Sequence, residues 1–238
     1  MGPKEDFLRF RYSVYMTMTF VAILWFVHSL LFALEVDQRQ FGILPRTLHG
    51  AIGIVTSPLV HGDLNHLMGN TIPLLALGIG LFYFYRHVAL RVFFIIYALT
   101  GIFVWLLARS SSHIGASGIV YGIISFLLFS GLFRRDMRSV AISLIVIFLY
   151  GGMAAGLIPL ERDISYESHW LGFGLGFVCA LFYRKTDMAL GETSPMPEDQ
   201  DIEGFSHTGS QEYNYFYEYK DHLPGASVEP EADEDTKS

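Results

Sequence analysis

Cysteine and charged residues are scarce in this sequence, and each shortage excludes a class of protein. The only cysteine is Cys179, which excludes an internal disulfide and a cysteine-rich zinc module. Charged residues make up 16% of the chain, whereas soluble domains contain about 25%. Nine prolines and 23 glycines are too few for a fibrous or low-complexity protein. Because hydrophobic residues make up 52% of the 238 positions, an ordinary soluble domain is excluded as well.

The formal net charge of −7 is divided unevenly along the chain. Residues 187–238 contain 14 acidic and 2 basic residues, whereas residues 1–186 contain 9 acidic and 14 basic residues. The acidic segment is poor in aliphatic residues, so we predict that residues 186–238 form a disordered cytoplasmic tail. Its aromatic cluster at residues 213–219 has two interpretations, a contact for a partner or part of a solvated tail. Since no stripe of Lys and Arg is present, we expect no nucleic-acid partner.

Six stretches of the sequence lack Asp, Glu, Lys and Arg and are close to the length of a membrane-spanning helix, about 17–25 residues. They predict an all-α integral membrane protein with a six-helix bundle at residues 13–185 and a cytoplasmic segment at residues 1–12. The six stretches are residues 13–34, 64–85, 92–108, 110–133, 139–160 and 168–183.

Basic residues predict the orientation of this bundle. Ten Lys and Arg residues lie at the N-terminus and after the second, fourth and sixth stretches, whereas four lie in the alternate loops. The positive-inside rule therefore predicts that both termini are cytoplasmic. The long loop at residues 35–61 and the shorter segment at residues 158–167 then face outward, and residues 41–45 and 48–56 are apolar enough to lie in the interface. We expect a multi-pass protein of a prokaryotic plasma membrane.

Polar side chains inside the predicted helices are candidate functional residues, because such groups are costly at membrane depth. His66 and Asn70 lie on the second helix, Ser117 on the fourth and His169 on the sixth. From Asn70, Ser117 and His169 to the next cytoplasmic arginine there are 16, 17 and 15 residues. At about 1.5 Å per residue these three sites lie roughly 22–26 Å above the cytoplasmic face. All three helices therefore place a polar group at one level near the outer surface.

Small residues suggest how these helices meet. Gly118 and Gly122 are four residues apart, as are Gly172 and Gly176, a spacing that lets helix backbones approach closely. If the fourth and sixth helices pack through these glycines, the neighbouring serine and histidine face each other.

A serine facing a histidine indicates acyl-transfer chemistry. Histidine can take the proton of a serine hydroxyl at neutral pH, and Asn70, His66 and the Ser117 N–H could donate hydrogen bonds to an oxyanion. No acidic residue lies at this depth, so Ser117 and His169 would act as a dyad. The His-Glu-x-x-His pattern of a metalloprotease is absent. The acidic residues of the body all lie in or next to loops, which leaves no carboxylate pair for an aspartyl mechanism. We expect neither a metal nor another cofactor.

Three motifs in order make the chain resemble the rhomboid intramembrane serine proteases over residues 13–185. The second helix carries His-x-x-x-Asn, the fourth Gly-x-Ser-Gly and the sixth His-x-x-Gly-x-x-x-Gly. The residues that match these motifs are His66, Asn70, Gly115, Ser117, Gly118, His169, Gly172 and Gly176.

The resemblance implies a rhomboid-like bundle that cleaves single-spanning membrane proteins near the outer face of the lipid bilayer. It implies Ser117 as the nucleophile, His169 as the general base, and His66 and Asn70 as oxyanion donors. It also implies that Tyr121 stacks beneath the catalytic histidine and that the motif glycines pack the helices around the site. Many bacterial relatives have a Trp-Arg pair in the first outer loop, where this sequence has no tryptophan, and two arginines of that loop, Arg39 and Arg46, are candidate substitutes.

Other interpretations remain open at this point. Taken alone, Ser117 is typical of a small packing residue, and Asn70 of a donor between helices. His61 and His113 are predicted to lie at the mouth of the site and to bind water or backbone. The alternative function is a non-proteolytic membrane scaffold that binds transmembrane clients, and a small transporter is less favoured because no repeat is visible. The sequence leaves the oligomeric state open.

Overall fold

The computed structural model describes residues 3–158 and 165–186 of the chain. Within these two ranges the chain is helical and contains no β-strand; an isolated antiparallel bridge joins Ile43 to His113. The predicted acidic tail lies outside the described residues apart from Thr186, and its aromatic cluster lies outside them entirely.

Six longer helices form the body, and two short helices lie in the first loop. Their bounds are α1, Pro3–Ala33; α2, Leu48–Ala51; α3, Gly53–Thr56; α4, Leu64–Phe84; α5, Ala89–Leu107; α6, Ser117–Arg134; α7, Met137–Tyr150; and α8, Tyr166–Phe182. Short 3₁₀ helices lie after α1, α3 and α7, at Gln38–Phe41, Ser57–Leu59 and Gly151–Leu157.

Five helical segments of the described residues are long and apolar enough to cross a membrane. Four of them are α1, α4, α5 and α6, and the fifth is Met137–Leu157, which joins α7 to the 3₁₀ helix after it. The sixth predicted span corresponds to α8, which has 17 residues and is shorter than these five. Within residues 3–158 and 165–186 there are therefore five candidate spans, and the predicted count of six is not confirmed.

Helix α6 is the central helix of the bundle. In its most apolar stretch 67% of the residues are buried, compared with 22% in α1 and 17% in the α7 segment. It packs against α8 and α7 and also contacts α4 and α5, whereas α1 packs on α4. The first residue of this central helix is Ser117, so the polar site begins where the most buried helix begins.

The start of α6 differs from the prediction, which placed the fourth helix at residues 110–133. Residues 110–116 form a loop in which His113 exchanges two backbone hydrogen bonds of 2.9 Å with Ile43. Gly115 in this loop has a φ of 104°, a left-handed conformation that glycine adopts without steric cost. The uncharged stretch begins seven residues before α6 because the absence of charge does not distinguish a loop from the helix that follows it.

Two reciprocal contacts anchor the loop between α1 and α4 to the end of α5. The Arg46 guanidinium donates hydrogen bonds to the carbonyl oxygen of Ala108 at 2.8 Å and to that of Leu106 at 3.3 Å. In return, the Trp105 indole on α5 donates a 2.9 Å hydrogen bond to the Thr47 carbonyl in the loop. Of the two predicted substitutes, Arg46 thus contacts the bundle through its side chain, and the tryptophan beside it comes from a helix.

Candidate active site

The side chains of Ser117 and His169 are within hydrogen-bond distance, with 2.8 Å between Oγ and Nε2. The other ring nitrogen, Nδ1, lies 2.8 Å from the carbonyl oxygen of Gly156. Because a carbonyl only accepts, Nδ1 must carry the proton, which leaves Nε2 as the acceptor for the serine hydroxyl. His169 is 6% exposed. The arrangement therefore holds the neutral histidine in the tautomer that a general base requires.

The ring of Tyr121 lies against the ring of His169. Their centroids are 4.2 Å apart and the planes differ by 15°. The tyrosine hydroxyl donates a 2.6 Å hydrogen bond to the Met153 carbonyl, in the same 3₁₀ helix that supplies the Gly156 carbonyl. One short segment thus fixes both the tyrosine and the histidine.

Close packing of α6 against α8 brings the two polar residues together. A Cβ atom built on Gly172 would overlap the carbonyl oxygen of Gly118, and one built on Gly176 would overlap that of Gly122. The two backbones therefore approach more closely than any side chain would allow. The glycine spacing in the sequence predicted this contact between the fourth and sixth helices.

Gly115 has a different role from the helix packing expected of it. It lies outside α6, in the loop before Ser117, where its N–H donates a 2.9 Å hydrogen bond to the Ser57 carbonyl. A Cβ atom at this position would lie 2.5 Å from Nε2 of His66. A side chain is excluded here both by the backbone conformation and by the adjacent imidazole ring.

The two predicted oxyanion donors lie on one face of α4, one turn apart. Asp63 caps this helix by accepting a 2.8 Å hydrogen bond from the His66 N–H. The Asn70 side chain is 4% exposed and donates a 2.9 Å hydrogen bond to the His66 carbonyl. A side-chain amide has two N–H groups, and this bond uses one. The N–H of Ser117 belongs to the first turn of a helix, where such groups have no intrahelical acceptor.

His61 is buried behind the loop that precedes Ser117, rather than at the mouth of the site. It is 0% exposed, and its Nε2 accepts a 3.3 Å hydrogen bond from the Ala116 N–H. Its backbone N–H donates a 3.0 Å hydrogen bond to the Gln38 side chain, whose amide lies 3.1 Å from Nδ1 of His28. This chain of polar contacts connects α1 and the first loop to the residue before Ser117.

The environment of His61 favours its neutral form. Burial, together with the nearby His66 and His28 rings, lowers the pKa of His61 to about 3. A neutral ring is required to accept the Ala116 hydrogen bond. The contact with the Ala116 backbone agrees with the prediction that His61 binds water or backbone, whereas its burial was not predicted, because one histidine in a loop does not indicate what folds over it.

No group of three or more His, Cys, Asp and Glu side chains suited to a metal ion occurs among residues 3–158 and 165–186. The groups in contact at Ser117 are a hydroxyl and an imidazole, a pair that suits proton transfer.

Comparison with known proteins identifies the family. The family model named Rhomboid domain matches residues 49–186, which include all the residues of the three motifs. The chain therefore belongs to the rhomboid family, whose members are generally intramembrane serine proteases and also include non-proteolytic proteins. With its several apolar helices, it is a multi-pass integral membrane protein.

Several mycobacterial proteins are similar to the chain. Uncharacterized proteins of Mycobacterium tuberculosis and Mycobacterium bovis are each 37% identical to it over 179 residues, which cover 68% of this chain and 72% of theirs. An uncharacterized protein of Mycobacterium leprae is 33% identical over 178 residues, which cover 68% of both chains.

Proposed function

We propose that the protein is an intramembrane serine endopeptidase with Ser117 as its nucleophile and His169 as its general base. The observation that carries the proposal is the 2.8 Å contact between Oγ and Nε2, made by a histidine whose other nitrogen donates to Gly156. A serine hydroxyl is a poor nucleophile unless a base within hydrogen-bond reach accepts its proton. Membership of the rhomboid family supports the same chemistry.

The reaction begins when Oγ of Ser117 attacks the carbonyl carbon of the scissile peptide and His169 takes the hydroxyl proton. The negative charge that develops on the carbonyl oxygen is stabilised by the N–H of Ser117 and by the side chains of Asn70 and His66. The imidazolium then gives its proton to the leaving amine, which releases one product. A water molecule, deprotonated by the same histidine, hydrolyses the acyl-enzyme and restores the serine.

The membrane arrangement in this proposal includes α8 as the sixth span. Seventeen residues rise about 25 Å, somewhat less than the roughly 30 Å of the hydrocarbon core, and α8 packs beside the central helix α6. Both termini are cytoplasmic, as the distribution of basic residues indicates. The mycobacterial relatives support a bacterial plasma membrane.

The substrates in this proposal are single-spanning membrane proteins. The active serine lies at the start of α6, near the outer surface, and an intact helix has its carbonyl groups engaged in backbone hydrogen bonds. A substrate must therefore unwind locally before a carbonyl reaches Ser117. Small or helix-breaking residues near the outer end of the span lower this cost, so low helicity governs the choice of substrate.

The test is cleavage of a single-spanning substrate by the purified full-length protein in detergent with EDTA. We expect wild type to cleave and Ser117→Ala and His169→Ala to be inactive. The matched controls are Ser125→Ala, which removes a buried hydroxyl from the same helix, and His87→Ala, which removes an exposed histidine. Both controls should retain activity. Absence of cleavage by wild type, combined with binding of the intact substrate, would overturn the proposal in favour of a non-proteolytic scaffold.

A further inference from the structure

A second serine–histidine hydrogen bond runs parallel to the one between Ser117 and His169. His113 lies four residues before Ser117, and Ser165 lies four residues before His169. The Nδ1 atom of His113 is 2.7 Å from Oγ of Ser165. Each of the two segments that lead into the site therefore carries one member of each pair. The first segment has the histidine of one pair before the serine of the other, and the second segment has a serine before a histidine.

The surroundings of His113 fix both the position and the tautomer of its ring. Nε2 lies 3.0 Å from the carbonyl oxygen of Arg109, which can only accept, so Nε2 donates and Nδ1 accepts the Ser165 hydroxyl proton. Its backbone is held by the two hydrogen bonds to Ile43. The side chain is 3% exposed, and burial lowers the pKa of His113 against the opposing effects of the Arg109 carbonyl and Glu167. The ring is therefore a neutral, buried acceptor for the Ser165 hydroxyl.

Ser165 is the N-cap residue of α8, yet its hydroxyl does not cap the helix. Serine at this position ordinarily accepts a hydrogen bond from a backbone N–H of the first turn. Here the Ser165 hydroxyl donates to His113, and its carbonyl accepts from the N–H groups of Ser168 at 3.1 Å and His169 at 3.4 Å. The hydroxyl thus joins two parts of the chain instead of stabilising its own helix.

A second contact joins the same two segments. The backbone N–H of Arg109 lies 3.4 Å from Oε1 of Glu167, and the guanidinium lies 3.6 Å from the same oxygen. The guanidinium also lies 4.7 Å from the centroid of the Tyr166 ring. The loop before α6 and the first turn of α8 are therefore connected on the outer side of the site, while Gly118 and Gly172 connect the two helices one turn further in.

We propose that the His113–Ser165 hydrogen bond is a positioning contact that sets the distance between Ser117 and His169. The inference rests on the proposed function. Ser117 and His169 sit on different helices, and each lies four residues after a member of the His113–Ser165 pair. Loss of the outer bond lets the first turn of α8 move relative to the loop before α6, which lengthens the contact between Oγ and Nε2. His113 and Ser165 are positioning residues, since each acts on the serine and the histidine through the chain that connects it to them.

The expected effect is on turnover rather than on substrate binding. Misplacing reacting groups by about 1 Å can cost about 100-fold in rate, and a single lost hydrogen bond permits a smaller movement. We therefore expect kcat to fall about 10-fold with KM changed less than about 2-fold, since the lost interaction affects the transition state alone.

The experiment compares Ser165→Val with Ser165→Thr in the full-length protein. The two side chains have nearly the same shape, but only threonine keeps the hydroxyl that donates to His113. The control is Ser168→Ala, which removes a hydroxyl of the same turn that donates to the Ser165 carbonyl at 2.7 Å and not to His113. The readouts are kcat and KM for a single-spanning substrate, the rate at which Ser117 reacts with a fluorophosphonate, and the thermal unfolding midpoint.

The inference predicts that Ser165→Val loses kcat and fluorophosphonate reactivity together, that Ser165→Thr restores both, and that Ser168→Ala matches wild type. Equal kcat values for the valine and threonine variants would overturn it while leaving the proposed function intact. Failure of the valine variant alone to fold would also overturn it, because the bond would then serve folding and not positioning. A wild-type protein that neither cleaves substrate nor reacts with the probe would overturn the proposed function and this inference together.

Discussion

Tyr121 supports His169 from one side, with the two rings nearly parallel and their centroids 4.2 Å apart. The tyrosine comes from α6, one turn after Ser117, so the helix that carries the serine also carries a surface on which the histidine rests. Stacked rings restrict rotation of the imidazole about its side-chain bonds. The Gly156 carbonyl bound to Nδ1 restricts it further, and together the two contacts direct Nε2 at the serine hydroxyl.

Removing the ring of Tyr121 should slow catalysis more than removing its hydroxyl. An aromatic pair contributes about 0.5–1.5 kcal/mol, which corresponds to about 2- to 12-fold in rate. We expect kcat of Tyr121→Leu to fall by this factor, whereas Tyr121→Phe keeps the stack and loses only the bond to Met153. Steady-state cleavage kinetics of the two variants provide the measurement. Equal kcat values for Tyr121→Phe and Tyr121→Leu would show that the stacked ring does not orient His169.

Alanine at Gly172 should destabilise the protein, whereas alanine at Gly174 should not. A Cβ at Gly172 would overlap the backbone carbonyl of Gly118, but a Cβ at Gly174 has nothing within 4 Å. Overpacking costs about 1–3 kcal/mol, while glycine to alanine at an open helical site is favourable by up to about 1 kcal/mol. Thermal unfolding in detergent distinguishes the two variants, and a Gly172→Ala midpoint equal to that of wild type would contradict the close packing of α6 on α8.

Loss of Arg46 should loosen the first outer loop. Its guanidinium donates to two carbonyl groups at the end of α5 and lies 3.1 Å from Oγ of Ser110. Hydrogen bonds from a charged donor contribute about 1.5–3 kcal/mol, so we expect Arg46→Ala to lower the free energy of unfolding by about 1–2 kcal/mol. Arg39→Ala, with an exposed side chain on the same loop, is the control. Equal unfolding free energies for the two variants would show that the anchor is not made in solution.

Acid should destabilise the folded protein through His61. Its folded-state pKa of about 3 lies below the 6.5 of an unfolded histidine, so the unfolded chain binds the additional proton. Stability is then complete above pH 6.5 and is lost as the pH falls toward 3. We expect His61→Gln, which keeps an acceptor for Ala116 without titrating, to have a flatter dependence of unfolding midpoint on pH between 7 and 4. His87→Gln, at an exposed site, should follow wild type, and identical slopes for all three proteins would refute the assignment.

Much of the site could be predicted from the sequence because helices translate spacing into geometry. Counting residues to the arginines that are predicted to be cytoplasmic predicts one depth for Asn70, Ser117 and His169, and the glycine spacing indicates which helices touch. The depth of a residue follows from the rise of a helix, and the face on which the glycines lie follows from its period.

The remainder could not be predicted because it depends on loops. The uncharged stretch at residues 110–133 does not indicate where its helix begins, so it predicts neither the turn at Gly115 nor the proximity of this turn to the His66 ring. His61 and His113 were expected at the mouth of the site, yet both are buried where the first loop and the loop before α6 fold together. Contacts between loops distant in sequence follow no period, and one sequence does not reveal them.

The most direct test of the account is the reaction of the purified protein with a fluorophosphonate, followed by mass spectrometry. Activation of the serine by its histidine predicts one adduct on Ser117 in wild type and in Ser125→Ala, and none at this position in Ser117→Ala. Because a general base contributes about 10²–10⁴-fold, labelling of His169→Ala should be at least about 100-fold slower. An adduct formed equally fast without the histidine, or no adduct on Ser117 in wild type, would contradict the claim that these two residues form a catalytic dyad.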